Sequence, residues 1–280
     1  MGHGWVDADS LRLKLSRKGI GFSLRQPRLA FLLLTGRLSY EEVLQELLSQ
    51  DLDLLRNRIG SVLQNKGFHQ MPQGSIEETL RLISPTRQES SFGRLSRWHS
   101  FLYAITRSVV PKTIVETGVL YGHSSAAILA ALEDNGNGRL ISVDLPAEKH
   151  RTVTVGKQYV QIGIAQDGLS IGSAVPMSLR SRWTLQFGNS LDVLPRILGK
   201  VAPISMFIHD SLHTYDHMSA EFRLGYDALE PGGILVSDDI DYNSAWSDFC
   251  FSKGENWRSL SKGSRTSERF GFLIKSNRSG

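Results

Sequence analysis

From Thr113 onward the sequence alternates short β-branched runs with helical stretches, and this alternation limits the fold more than any other feature. Thr113-Ile-Val115, Leu140 to Val143, Trp183 to Phe187, Ile204 to Ile208 and Ile234 to Ser237 read as strands. Phe270 to Ile274 and Trp257 to Leu260 add two more. Between them, Ser125 to Leu132, Leu191 to Leu198 and about His213 to Leu229 carry helical patterns, while Gly136-Asn-Gly138 and Pro231-Gly-Gly233 read as turns. Strands alternating with helices predict an α/β fold: a mostly parallel sheet covered by helices on both faces. In such sheets ligands sit beyond the carboxyl ends of the strands, near the point where strand order reverses. The informative residues fall at those ends.

Residues 1–95 lack this grammar and read as a helical N-terminal extension to a domain spanning 96–280. Ser39-Tyr-Glu-Glu42 has capping-box spacing, and Val43, Leu44, Leu47 and Leu48 then recur at helical intervals. Gly60, Gly67 and Pro72-Gln-Gly74 punctuate the next stretch; Ile76, Leu80 and Ile83 predict a short helix ending before Pro85. Trp98 to Val109 forms a last helix before Pro111. The stretch from Pro146 to Arg182 breaks the rhythm. Its glycines, Gly156, Gly163, Gly168 and Gly172, suit either a lid or a solvated insertion.

Composition excludes several classes. With Cys250 as the single cysteine, the 280-residue chain has neither a disulfide framework nor a multi-cysteine zinc site. The apolar run Leu29 to Leu34 is far short of the roughly 20 residues that span a bilayer. It begins too late and lacks the cleavage pattern of a signal peptide, so a cytoplasmic protein with no membrane span is expected. The net charge of +4 describes a basic solvated surface. Arg12, Lys14, Arg17, Lys18 and Arg94, Arg97 have no interleaved aromatic pattern, and no nucleic-acid partner is expected. A homo-oligomer is left open.

Val115-Glu-Thr-Gly-Val-Leu-Tyr-Gly-His-Ser-Ser125 leaves a strand and opens a helix. Gly118 and Gly122 suit a sharp turn and close approach of a ligand to backbone. This is not the G-x-G-x-x-G fingerprint. What gives it weight is Asp144, ending the next strand, where a carboxylate can accept hydrogen bonds from ribose hydroxyls. Glu116 adds a second acid, and two acids would repel a pyrophosphate but suit a cationic nucleoside such as S-adenosylmethionine. Farther along, Asp210, Asp238 and Asp239 end two strands that this fold places side by side. No lysine or arginine stands near them in sequence, so their repulsion calls for a cation or protons. An oxygen-rich set of this kind favours Mg²⁺ or a similar hard ion. His213 is placed to take a proton near neutral pH. The spacing of His209, His213 and His217 lacks the glutamate of a zinc H-E-x-x-H motif, and no glycine-flanked serine forms a hydrolase elbow.

Glu116-x-Gly118-x-x-x-Gly122-x-Ser124, followed by Ser142-Val-Asp144, resembles the first two cofactor motifs of class I S-adenosylmethionine-dependent methyltransferases. The likeness is strongest to the metal-dependent catechol-type and the bacterial sugar and macrolide O-methyltransferases. It spans roughly residues 98 to 275 and implies a Rossmann-like, seven-stranded sheet. It also implies that Glu116, Gly118, Gly122 and Ser124 hold the methionine part of the cofactor, and that Asp144 holds the ribose. Gly188-Asn-Ser190 corresponds to the segment bordering adenine, which puts Asn189 and Ser190 in the cofactor site; many relatives carry aspartate at the Asn189 place. Asp210, Asp238 and Asp239 match the metal ligands. His213 matches the base, lysine in catechol-type enzymes and histidine in sugar-type ones. The expected activity is therefore O-methylation of a small-molecule or glycan hydroxyl, with Mg²⁺ bound at the acids. Tyr242, Asn243 and Trp246 follow the fifth strand and suit either an acceptor pocket or ordinary packing. A metal-independent methyltransferase and a non-catalytic Rossmann-like binding module are the alternatives.

Overall fold

The structure is a computed structural model that describes residues 27–64, 95–146, 152–155, 158–161, 170–262 and 269–276. In chain order the strands are β1 (Thr113–Thr117), β2 (Arg139–Asp144), β3 (Thr152–Val155), β4 (Gln158–Gln161) and β5 (Trp183–Phe187). They continue with β6 (Ile204–His209), β7 (Leu229–Ser237), β8 (Trp257–Ser261) and β9 (Arg269–Ile274). The helices are α1 (Pro27–Leu34), α2 (Tyr40–Gln64), α3 (Arg97–Val109), α4 (His123–Asn135), α5 (Ser190–Val201), α6 (Tyr215–Ala228) and α7 (Ala245–Lys253).

Seven strands form one sheet in the order β5-β2-β1-β6-β7-β9-β8. The first five are mutually parallel, β9 is antiparallel to β7, and β8 is antiparallel to β9. This is the expected Rossmann-like sheet. β3 and β4 pair separately as an antiparallel hairpin inside the 146–182 stretch. Strand order reverses between β1 and β6, which opens a crevice beyond their carboxyl ends.

Side chains alternate across the pleat, and the two faces bury separate cores. Ile114 joins Phe101, Leu102, Ile128, Leu129 and Phe270 on the face covered by α3 and α4. Its neighbour Val115 joins Leu194, Phe207, Phe222 and Trp246 on the face covered by α5, α6 and α7. All of β1 is buried, as expected of a strand covered on both sides. Leu48, Leu52 and Leu55 of α2 enter the same core as Phe101 and Leu102. Each such leucine stabilises the fold by about 1.5–3 kcal/mol, so α2 is packed into the domain despite its different sequence grammar.

Local signals hold where a side chain closes its own turn. Ser39 and Glu42 form the reciprocal capping box at the start of α2, with Ser39 N donating to Glu42 Oε2 at 2.7 Å and Glu42 N to Ser39 Oγ at 3.2 Å. They fail where packing overrides them. The helix α2 runs through Gly60, because Leu55 and Ile59 just before it are buried in the core. Pro231-Gly-Gly233 lies within β7 as an irregularity, where the pairing with β6 shifts between Ile204 and Met206. Helix α6 starts at Tyr215 with Thr214 as N-cap, leaving His213 on the loop before it. The helix expected over Ile76 to Ile83, the basic cluster Arg12 to Lys18, Arg94, and Gly67, Gly74, Gly156, Gly163 and Gly168 lie outside the described residues. Among the described residues no helix is long and apolar enough to cross a membrane.

Candidate active site

The ends of β1 and β2 carry the first pair of acids. Glu116 is fully buried, and its carboxylate accepts hydroxyls from Ser124 at 2.8 Å, Ser125 at 2.6 Å and Ser142 at 2.7 Å. Burial raises its pKa, and the three serines oppose that rise. Glu116 and Ser124 thus face each other across the loop and tie helix α4 to the sheet. Glu116 has no exposed surface here, and its three serine bonds shape the loop that the expected methionine contact would use.

Asp144 sits at the edge of the crevice. Its Oδ2 accepts the backbone N–H of Val119 and of Leu120, each at 2.8 Å, and its Oδ1 accepts that of Leu145 at 2.7 Å. A carboxylate has about four acceptor positions, so one stays open for a ribose hydroxyl while the loop holds this shape. Two exposed apolar side chains border this acid: Leu120 on the loop, and Phe187, paired with Asp144 across β2 and β5. An acceptor oxygen between exposed apolar faces is the chemistry that a nucleoside needs. Sequence reasoning misses both side chains because neither belongs to a motif.

The two glycines are required by close approach. A Cβ on Gly118, whose φ is +81°, would lie 1.8 Å from the Asp210 carbonyl oxygen. A Cβ on Gly122, with φ +88°, would lie 2.4 Å from Val175 Cγ2. Their partners here are protein: the β6 end for Gly118 and the 170–175 segment for Gly122. That segment is bonded to the loop through Gly172 N–Leu120 O at 2.7 Å and Ala174 N–Tyr121 O at 3.0 Å. Gly172 itself is pressed against Trp183.

The adenine-side expectation meets competing partners. Asn189 caps α5, its side chain accepting Leu191 N–H at 3.1 Å. Ser190 Oγ donates to Glu221 and lies 3.0 Å from His217 Nε2. Glu221 is the hub of a buried network. It accepts Thr117 Oγ1 at 2.6 Å and Ser211 Oγ at 2.9 Å, and it pairs with His209 Nδ1 at 2.6 Å and His217 Nε2 at 2.9 Å. Burial pushes its pKa up, but His209 and the other donors outweigh burial and hold the carboxyl well below its usual range. Glu221 joins β1, β6, α5 and α6 beneath the crevice. The spacing His217-x-x-x-Glu221, one helical turn, is the sequence signal that could have found it.

The second group of acids lies where β6 and β7 end side by side. Asp210 accepts Trp98 Nε1 at 3.2 Å from helix α3 and does not cap a helix. Burial and the neighbouring Asp238 raise its pKa well above the carboxylate range. The Asp238 carboxyl is also raised by burial, with Lys262 pulling it back. Lys262 Nζ lies 2.8 Å from Asp238 Oδ2 and 2.5 Å from Asp239 Oδ1. Burial alone would lower the Lys262 pKa, yet its contacts with the two acids raise it overall. The cation that these acids require is a lysine 24 (262 − 238) positions beyond Asp238, delivered by the end of β8.

A divalent ion does not fit this donor set. Lys262 bridges the two oxygens that an ion between Asp238 and Asp239 would need, and like charges repel in a half-buried site. Among the described residues no group of three or more His, Cys, Asp or Glu side chains is arranged to hold a metal. The expected metal set of Asp210, Asp238 and Asp239 therefore converges, but on an ammonium.

His213 stands beside these acids. Its ring lies 5.2 Å from that of His209 and 6.2 Å from that of Tyr242, and its carbonyl accepts Asn243 Nδ2 at 3.2 Å. His213 Nε2 and Asp238 Oδ1 are buried without a hydrogen-bond partner. Burial and His209 push the His213 pKa down to about 4, so the ring is neutral and able to accept a proton at physiological pH. Tyr242 is exposed next to it, whereas Trp246 is buried against Phe222 and belongs to the core, not to an acceptor pocket.

Residues 115–240 match a family model described as a methyltransferase domain, a little under half of the chain. No curated protein matches the sequence. Similar solved structures include the O-methyltransferase TomG from Streptomyces achromogenes, involved in tomaymycin synthesis, at 18% identity and TM-score 0.47, covering 64% of this chain and 79% of that one. An O-methyltransferase from Bacillus cereus shows 16% identity and TM-score 0.47, covering 77% and 97% of the two chains. The calicheamicin methyltransferase CalS11 shows 19% identity and TM-score 0.46, covering 79% and 91%. The matched segment runs from the end of β1 through the glycine loop to the acids after β7. Over residues 115–240 the chain is similar to a methyltransferase domain.

Proposed function

We propose that this chain transfers the methyl group of S-adenosylmethionine to a hydroxyl of a small molecule, sugar or glycan. The observation that carries the reading is the pair of buried, unpartnered acceptors His213 Nε2 and Asp238 Oδ1, at the ends of strands adjoining the glycine loop. A neutral His213 with Nε2 unprotonated suits a hydroxyl, which brings a hydrogen to it beside the Asp210–Asp238 carboxyl pair.

S-adenosylmethionine, when bound, supplies an electrophilic methyl carbon on a sulfonium. Asp144 is suited to take a ribose hydroxyl, with Leu120 and Phe187 offering apolar faces to the base. Asn189 and Ser190 belong to the floor of that site through α5 and the Glu221 network. The transfer is an in-line displacement, in which alignment of the nucleophile is worth several kcal/mol of barrier, roughly 7–11 in the best intramolecular cases. Asp238 orients the acceptor hydroxyl and His213 takes its proton as the new oxygen–carbon bond forms. A base of this kind contributes about 10²–10⁴-fold. Because Lys262 already compensates Asp238 and Asp239, no step is assigned to Mg²⁺.

Incubation of the full chain with labelled S-adenosylmethionine and a panel of glycans, sugars and phenols, with and without Mg²⁺, tests the proposal. Label should enter a hydroxyl-bearing acceptor as an ether and should do so in the presence of chelator. Transfer to amines added to the panel, with none to any hydroxyl, would overturn the oxygen-directed reading.

A further inference from the structure

We infer that Lys262 is the resident cation of the reaction site, seated where a divalent ion would otherwise bind, and that the acids take up metal only once Lys262 is removed. The inference rests on reading the β6 and β7 ends as the reaction site, but its test follows ion binding, not methyl transfer.

The contact is a two-point clamp on neighbouring residues: Nζ bridges Asp238 Oδ2 and Asp239 Oδ1 at 2.8 and 2.5 Å. An ammonium with three donors satisfies both oxygens and keeps a third hydrogen. Asp239 supports this from the backbone. It holds φ +45°, a left-handed conformation that non-glycine residues adopt at a cost and keep where surrounding contacts over-determine it. Its contacts include the lysine on its carboxylate, Tyr242 N–H on its carbonyl at 3.0 Å, and its own N–H on the Asp238 carboxylate.

Lys262 is also placed by the sheet edge. It follows Ser261, the last residue of β8, which pairs with Arg269 of β9. The Ser261 carbonyl accepts Arg97 Nη1 of helix α3 at 3.0 Å. The lysine side chain itself is only 18% exposed. Most surface ion pairs lack this kind of fixation and contribute little.

The clamp leaves one oxygen of the pair in a distinct state. Asp238 Oδ2 is taken by Lys262, while Oδ1 is buried without a partner. With charge compensated on one side, the other oxygen accepts a hydrogen from the acceptor. A divalent ion across both carboxylates would need the same two oxygens that Lys262 bridges, so lysine and ion exclude each other.

The test is a titration of the full chain with Mn²⁺, with free ion followed by electron paramagnetic resonance. Wild type should leave the signal unchanged up to millimolar ion. Lys262→Met should bind one Mn²⁺ at least tenfold more tightly than wild type, and adding Asp238→Asn should abolish that gain. Lys262→Arg, which keeps the charge, should behave as wild type. One tightly bound ion in wild type would overturn the inference whatever the variants do. A folded Lys262→Met that gains no ion would overturn it as well. Should Lys262→Met fail to fold, the wild-type titration decides alone: no bound ion supports the resident lysine, and a bound ion refutes it.

Discussion

The two halves of the crevice are built on opposite rules. At the cofactor end, every carboxylate oxygen has a partner: Glu116 is held by three serines and Asp144 by three backbone amides. At the acceptor end, Asp238 Oδ1 and His213 Nε2 are buried without partners and Asp239 holds a left-handed backbone. Buried polar atoms are ordinarily satisfied, and these two exceptions fall together at the β6 and β7 ends. The contrast teaches that the first pair of acids preserves a shape, whereas the second group is the place where the proposed acceptor would be held. Substitutions at the two ends should fail differently.

The largest effect belongs to the closed end. Glu116→Ala strips three serine hydroxyls of their common acceptor and opens a cavity behind the loop. It should cost about 3 kcal/mol or more of stability, roughly 1–3 kcal/mol for each buried hydroxyl left without an acceptor, read as a lowered midpoint in urea. A loss within about 1 kcal/mol, the size of one ordinary hydrogen bond, would remove the structural role from Glu116. Gly118→Ala comes next, because a methyl there meets the backbone carbonyl of Asp210 and a positive φ. A penalty of about 3 kcal/mol or more is expected from strain and displacement together, and thermal denaturation measures it.

At the open end the cost should appear in rate. His213→Ala should lower kcat by about 100-fold or more in protein that still folds, checked by circular dichroism. The pH profile sharpens this. A base acts when deprotonated, and the folded His213 pKa is held at about 4. Activity assigned to His213 should therefore persist through about pH 6.5, the ordinary histidine value, and fall only as pH drops toward 4, in kcat/KM of the wild type. A break at the ordinary histidine value would assign the proton to another group. The smallest effect is at Asn189→Ala, which removes the α5 cap and should cost about 1 kcal/mol, with little change in rate once the enzyme is folded.

The sheet is legible in the sequence because period-2 and period-3.6 patterns come from burial itself, and β1, β2, β5, β6 and β7 lie where those patterns put them. The strand-end acids are legible for the same reason. Their partners are not. The serines that occupy Glu116 come from α4 and β2, the five groups on Glu221 come from several elements, and Lys262 arrives from the far edge of the sheet. The metal expectation for Asp210, Asp238 and Asp239 rests on the lack of a nearby cation in sequence, and a fold brings distant residues together. The acceptor-pocket expectation for Trp246 rests on its closeness to Tyr242 in sequence. Helix α7 begins between the two and turns the indole into the core while Tyr242 stays exposed.

The central claim is that the crevice at the β1–β6 reversal binds S-adenosylmethionine. Isothermal calorimetry of the full chain with S-adenosylmethionine tests it most directly. A saturable one-site isotherm, weakened at least tenfold by Asp144→Ala, is predicted. An absence of binding heat over a range of temperatures, with the protein folded, would contradict it.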